Sequence, residues 1–150
     1  MGIFKKIIYF LSRVAMGWLM FYAGITKILN SGWSAKGYIE GTKTFPSLYG
    51  FFLDPNMLPF IDFLNKWGLA LIGISLILGA FVRYAAPFGF ILMLLYYFPI
   101  LNFPYAGAGT TSYIVDQHII YALFFLLLFA LDAGKYWGFD YYRERMKRRR

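Results

Sequence analysis

The sequence predicts an all-α protein, a four-transmembrane-helix bundle with an aromatic-rich outer loop or interfacial helix between the first and second spans. Three observations predict it. Of 150 residues, 60% are hydrophobic and only 15% charged, with a mean hydropathy of +0.56, too little polar surface to clothe a soluble domain of this length. The apolar residues gather into four blocks, each near the roughly 20 residues that cross a hydrocarbon core of about 30 Å. Most basic residues sit in loops and tails beside those blocks. The net charge of +8, which in a soluble protein would suggest nucleic acid, is therefore read as a signal of membrane orientation, with no nucleic-acid partner expected. The length fits a single domain over residues 1–150.

The first span covers about Ile7 to Leu29, interrupted only by Ser12, Arg13, Thr26 and Lys27. It is too long for a signal-peptide core, and Arg13 would break one, so it is read as a permanent helix. From Asn30 to about Pro59 the glycines Gly32, Gly37, Gly41 and Gly50, with Pro46 and Pro55, exclude a spanning helix. Aromatic residues there, Tyr38, Phe45, Tyr49 and Phe51 among them, suit the headgroup region and predict a cap over the bundle. The second span runs from about Phe60 to Val82 and the third from about Ala85 to Phe103, so close that they must form a tight hairpin. Pro87 falls in the third span's first turn, where it is tolerated, and Pro99 kinks or ends its far end. A loop over Pro104 to Ser112 leads to the fourth span, about Tyr113 to Leu131, and a basic tail follows over residues 132–150. Four spans put Lys5, Lys6, Arg83 and the run Arg143, Arg145, Lys147, Arg148, Arg149 and Arg150 on one side. The positive-inside rule then makes this a multi-pass protein of the cell membrane with both termini cytoplasmic.

Ionisable side chains inside a span cost about 2.5 to 3.5 kcal/mol each at mid-helix, so each needs a reason. On the first span Arg13, Gly17, Met20, Gly24 and Lys27 are spaced 4, 3, 4 and 3 apart and share one stripe, whose glycines allow a second helix close. That stripe is expected to face the bundle; the other reading has Arg13 and Lys27 snorkelling to opposite interfaces. Asp62 and Lys66 lie one turn apart in the acid-first order that favours an ion pair, and Ser75 with Gly79 is assigned to packing. The fourth span opens with Asp116, Gln117 and His118. On an undistorted helix Asp116 and His118 point about 200° apart, so one is expected to serve a site and the other to bond a neighbouring helix. By topology Lys27, Asp62, Lys66, Asn102, Asp116 and His118 all lie toward the outer ends of their helices, a set that suits a small anion or a quinone needing hydrogen bonds and protons. Arg13 and Arg83 are read as structural polar residues. The chain has no cysteine and one histidine, which excludes disulfides, iron–sulfur clusters, thiolate-bound zinc and bis-histidine haem within it; no metal site is expected.

The runs Gly17-Trp-Leu-Met-Phe-Tyr-Ala-Gly-Ile-Thr-Lys27, Trp67 to Arg83 and Ile114-Val-Asp-Gln-His-Ile-Ile-Tyr121 resemble the DoxX/DoxD family of membrane proteins. In the DoxD branch, which the fourth span and the stretch Gly134 to Asp140 resemble, the membrane subunit belongs to a thiosulfate:quinone oxidoreductase that works with a second subunit, DoxA. The resemblance implies oxidation of two thiosulfates to tetrathionate with quinone as electron acceptor. Lys27 and Lys66, with Asp62 and Asn102, would then bind substrate, and Asp116 and His118 would act on the quinone. It equally implies a second reading, a non-catalytic accessory or assembly subunit of a membrane redox complex. Either calls for the lipid bilayer and a second protein, DoxA-like or another redox partner, and leaves room for a homo-oligomer.

Overall fold

The structure, a computed structural model, describes residues 2–101 and 114–147. Among these every regular element is helical. Three helices are long and apolar enough to cross a membrane: α1 (Ile3–Leu29), α4 (Leu58–Leu78) and α5 (Val82–Ile100). Two short helices, α2 (Lys36–Glu40) and α3 (Pro46–Phe52), form the expected cap between α1 and α4. A shorter apolar helix, α6 (Gln117–Ala130), is followed by a single 3-10 turn (Ala133–Lys135) and α7 (Phe139–Lys147). The expected loop from Pro104 to Ser112 and residue Asn102 lie outside the described residues.

Three boundaries differ from the sequence reading, each for a local reason. The second span ends at Leu78 and not near Val82, because Gly79 turns left-handed (φ 65°) while its N–H and that of Ala80 bond back to Leu76 and Ser75, a terminus that glycine makes without steric cost. Helix α5 consequently starts at Val82, so Pro87 sits inside it and not in its first turn. The fourth span does not begin near Tyr113: α6 starts after Asp116, and its 14 residues rise about 21 Å, less than a full hydrocarbon thickness.

Among the described elements, helices α1 and α4 make the most extensive contact. They run antiparallel with their backbones touching: a Cβ added at Gly17 would lie 2.9 Å from the Ile77 nitrogen, one at Gly24 2.8 Å from the Ala70 Cα, and one at Gly73 2.6 Å from the Phe21 Cα. The predicted stripe is the buried one, since Arg13, Gly17, Met20 and Gly24 are all buried. The second tight pair is α5 with α6, where the fully buried Phe125 ring lies over Gly89. Contact between α4 and α5 is sparse by comparison. The cap has its own core of Ala35, Ile39 and Tyr49 against Trp33, Phe52 and Phe98. Pro99 carries no N–H, which deprives the Leu95 carbonyl of its helical donor; the Tyr49 hydroxyl donates to that oxygen instead, at 2.8 Å. Burial pushes the Tyr49 phenol up to about 12, so it remains a donor well into alkaline solution.

The stretch read as a basic tail is a folded junction up to α7. Ala133, Gly134 and Gly138 are buried, Tyr9 packs on Tyr136 at 5.2 Å and Phe10 on Trp137 at 5.8 Å between ring centroids. The start of α1 and the segment after α6 therefore share one end of the bundle, called here the inner end. Arg13 is fully buried there. Its guanidinium donates to the Ala133 carbonyl at 3.2 Å and fills a slot between Gly79 and Gly138, where any Cβ would collide with Nη1. Asp140, at the start of α7, closes the junction by accepting from the Phe81 and Val82 amides at 3.0 and 3.2 Å, which supplies the first turn of α5 with the cap its own sequence lacks.

Gly24→Ala and Gly73→Ala each force overpacking between α1 and α4 and should lower unfolding stability in detergent by about 1–3 kcal/mol. Gly68→Ala on the same helix, with open space around its Cα, should be neutral. The Tyr49 phenol holds its proton more tightly folded than unfolded, so its contribution is whole below the ordinary value of 10.0 and is lost as pH rises through about 12. Alkaline unfolding titrations should show stability falling across that window, with a shallower slope in Tyr49→Phe.

Candidate functional site at the outer end

Tyr96 on α5 is the hub of the outer end. Its hydroxyl accepts from the Lys27 ammonium at 3.2 Å and donates to the Asn65 side-chain oxygen in a short hydrogen bond, while the Asn65 amide donates to the Ile61 carbonyl at 2.9 Å. One face of the ring stacks with His118 at 5.7 Å and 22°. Its backbone carbonyl accepts from the Tyr38 hydroxyl at 2.6 Å. One aromatic residue thus joins α1, α2, α4 and α6.

Asp116 is the N-cap of α6 in an extended conformation (φ −105°, ψ −179°). One carboxylate oxygen accepts from the His118 and Ile119 amides at 3.0 and 3.1 Å, and the other lies 2.6 Å from His118 Nδ1. The expectation that Asp116 and His118 diverge is therefore wrong: helical projection does not apply to a residue outside the helix, and the cap conformation folds the carboxylate back over the first turn. The contact fixes the imidazole through Nδ1. Nε2 has no hydrogen-bond partner among the described residues.

Lys27 sits 5.2 Å from the centroids of both Trp33 and Tyr96, and Lys66 lies 5.6 Å from Trp33. Aromatic faces replace part of the hydration of the two ammonium groups. The expected Asp62–Lys66 ion pair is not among the pairs within 4 Å formed by the described residues; Asp62 accepts instead from the Ala35 amide at 2.7 Å and anchors the start of α2. The structure therefore brings Lys27, Lys66, Asp116 and His118 to one end, spends Asp62 on the cap, and puts Arg13 and Arg83 at the opposite end. Asn102 is outside the described residues. Gly79, read as a packing residue of α4, forms the turn and the Arg13 slot.

Sequence reasoning missed Tyr96, Asn65 and Trp33. Asn65 was findable as a polar side chain inside a span, whereas Tyr96 and Trp33 are lost among aromatics that make up 23% of the chain. Beside the hub lies a cavity of about 60 Å³, mostly apolar, where Asn65, Tyr38, Tyr49 and Tyr96 meet Ile39, Leu64 and Leu92. Among the described residues no His, Asp and Glu side chains gather as metal ligands do.

Residues 8–100 match the DoxX family, a span that takes in α1 to α5. No curated protein and no solved structure matches the chain. The chain belongs to the DoxX family, and with three helices fit to cross a bilayer it is a multi-pass membrane protein.

Tyr96→Phe strips the Lys27 ammonium and Asn65 of a shared partner in a weakly polar setting and should cost about 1–3 kcal/mol. Tyr22→Phe, on an exposed ring, should cost nothing measurable; unfolding in detergent compares the two.

Proposed function

We propose that this DoxX-family protein is the membrane subunit of a quinone-linked redox system, most closely one that oxidises thiosulfate to tetrathionate. The observation that carries the reading is the Asp116–His118 pair, at 2.6 Å and stacked on a tyrosine that Lys27 and Asn65 hold. Two thiosulfates lose one electron each and join through a new S–S bond, while the quinone takes up two electrons and two protons. His118, oriented by Asp116, supplies protons from Nε2 one at a time and is recharged from the aqueous side. Lys27 and Lys66, both at Trp33, attract the dianionic substrate. Quinone suits the donor set of the outer end, but a cavity of about 60 Å³ does not enclose its ring. The chain has no cysteine, and the electrons pass directly between bound reactants or through a centre on a partner chain of the DoxA kind. The inner end, with Lys5, Lys6 and Arg83, faces the cytoplasm in this proposal.

A specific observation favours a second reading, an accessory subunit that assembles a redox complex: Tyr38, Tyr49, Thr44 and Asp62 each hydrogen-bond the cap to α4, α5 or the residue following α5, as in a lid built to stay closed. Thiosulfate-dependent reduction of a soluble quinone analogue by membranes bearing the chain and a co-expressed partner separates the two. Under the first reading His118→Gln and Asp116→Asn lower turnover about 100-fold or more with undiminished folded protein in the membrane. Unchanged turnover in both variants sinks the proposed site, and loss of partner assembly with no turnover in the parent protein favours the second reading.

A further inference from the structure

The inner end carries a second site that the outer-end chemistry does not use. Between the start of α5, the 3-10 turn and α7 lies a cavity of about 300 Å³ bounded by Arg83, Lys135 and Arg143. Two carboxylates also line it, and both are engaged: Asp132 pairs with Lys135 at 3.0 Å, and Asp140 accepts from two backbone amides. Neither Arg83 nor Arg143 has a described carboxylate within 4 Å. Arg143 lies over the Phe81 ring at 5.5 Å. Phe81 and Asp132, both on the cavity wall, hold left-handed conformations (φ 57° and 45°) that are costly for residues with a side chain, and such strain collects where a site needs it.

A second cavity, of about 420 Å³ and almost wholly apolar, runs along the sparse contact between α4 and α5 past Leu71, Phe88 and Ile91. It shares Phe81 and Tyr84 with the basic cavity, so the two adjoin. From Tyr84 to Leu95 the groove follows about 16 Å of helix, the depth of one leaflet in a core of about 30 Å. A cationic pocket beside an apolar channel one leaflet deep has the polarity of a single amphiphile.

We propose that this composite site binds an anionic phospholipid of the surrounding membrane, its phosphate between Arg83 and Arg143 and one acyl chain in the α4–α5 groove. Guanidinium groups grip phosphate oxygens in paired hydrogen bonds, and anionic lipids favour basic side chains at the bilayer surface. The site stands apart from the outer end and does not depend on a redox activity.

The test measures binding of phosphatidylglycerol to the full chain in detergent by native mass spectrometry, with phosphatidylcholine of the same chains and inorganic phosphate as the other probes. Phosphatidylglycerol should bind in preference to both. The double variant Arg83→Gln, Arg143→Gln should weaken it roughly 30-fold, about fivefold per cation. Gly68→Trp, which fills the groove from a position with open space around it, should weaken it as well. Lys5→Gln with Lys6→Gln, removing equal charge outside the cavity, should leave it within about twofold. Equal loss in the lysine pair, equal binding of phosphatidylcholine, or phosphate binding as tight as the lipid's and indifferent to Gly68→Trp would each overturn the proposal. Should the arginine pair fail to fold, the Gly68→Trp and headgroup comparisons decide it alone.

Discussion

Backbone contact between α1 and α4, open to them only because Gly17, Gly24 and Gly73 carry no side chain, fixes the register of the two longest helices, and both ends of the protein follow from it. In a bilayer the lipid tails are as apolar as leucine, so burial offers little reason for helices to associate; close van der Waals packing and hydrogen bonds must do it. With Gly24 against Ala70, the next outward turn of α1 brings Lys27 to the Tyr96 hydroxyl that Asn65 of α4 also holds. With Gly17 against Leu76 and Ile77, the turn inward brings Arg13 to the left-handed Gly79. A slide of one turn along this contact would dismantle the outer hub and the inner slot together.

The same economy explains why the protein has a groove. Small residues are spent on two pairs, α1 with α4 and α5 with α6, while α4 and α5, joined by the hairpin turn from Gly79 to Phe81 and by the Tyr96–Asn65 hydrogen bond, touch only sparsely. The apolar channel lies along that contact, and the cap bridges the two helices, bonding α4 through Asp62 and α5 through the Tyr38 and Tyr49 hydroxyls. Pro99 makes that bridge specific: it leaves one carbonyl of α5 without a helical donor, and an unmatched carbonyl at membrane depth is costly enough to select a partner.

Spacing and composition made much of this legible. The 4, 3, 4, 3 stripe of α1 faces the bundle because a helix repeats every 3.6 residues whatever solvent surrounds it, and apolar blocks located the long spans to within a few residues. The failures have two causes: local turn and cap geometry, as at Gly79 and Asp116, and contacts between residues distant in sequence. Asp140 caps α5 from 58 and 59 residues away, and the stretch that carries it, residues 132–150, was read as a tail. Tyr96 became a hub through its neighbours and not through any rarity of its residue type.

Asp116 illustrates how one side chain can carry a structural and a chemical task without conflict. Capping alone does not call for a carboxylate, since asparagine caps as well. An asparagine, however, has one acceptor oxygen; with that oxygen on the His118 and Ile119 amides, its amide N–H₂ would face Nδ1 as a donor and invert the hydrogen-bond sense of the ring. The carboxylate supplies two acceptors, one for the helix amides and one for Nδ1. The orientation of His118 is thereby tied to the integrity of the first turn of α6: anything that frays that turn turns the imidazole away from Tyr96. A site assembled in this way is only as rigid as the helix terminus it is built on, which gives the cap, bonded to Leu95 and Tyr96 before Pro99 and to Leu101 after it, a physical part in holding the site in shape.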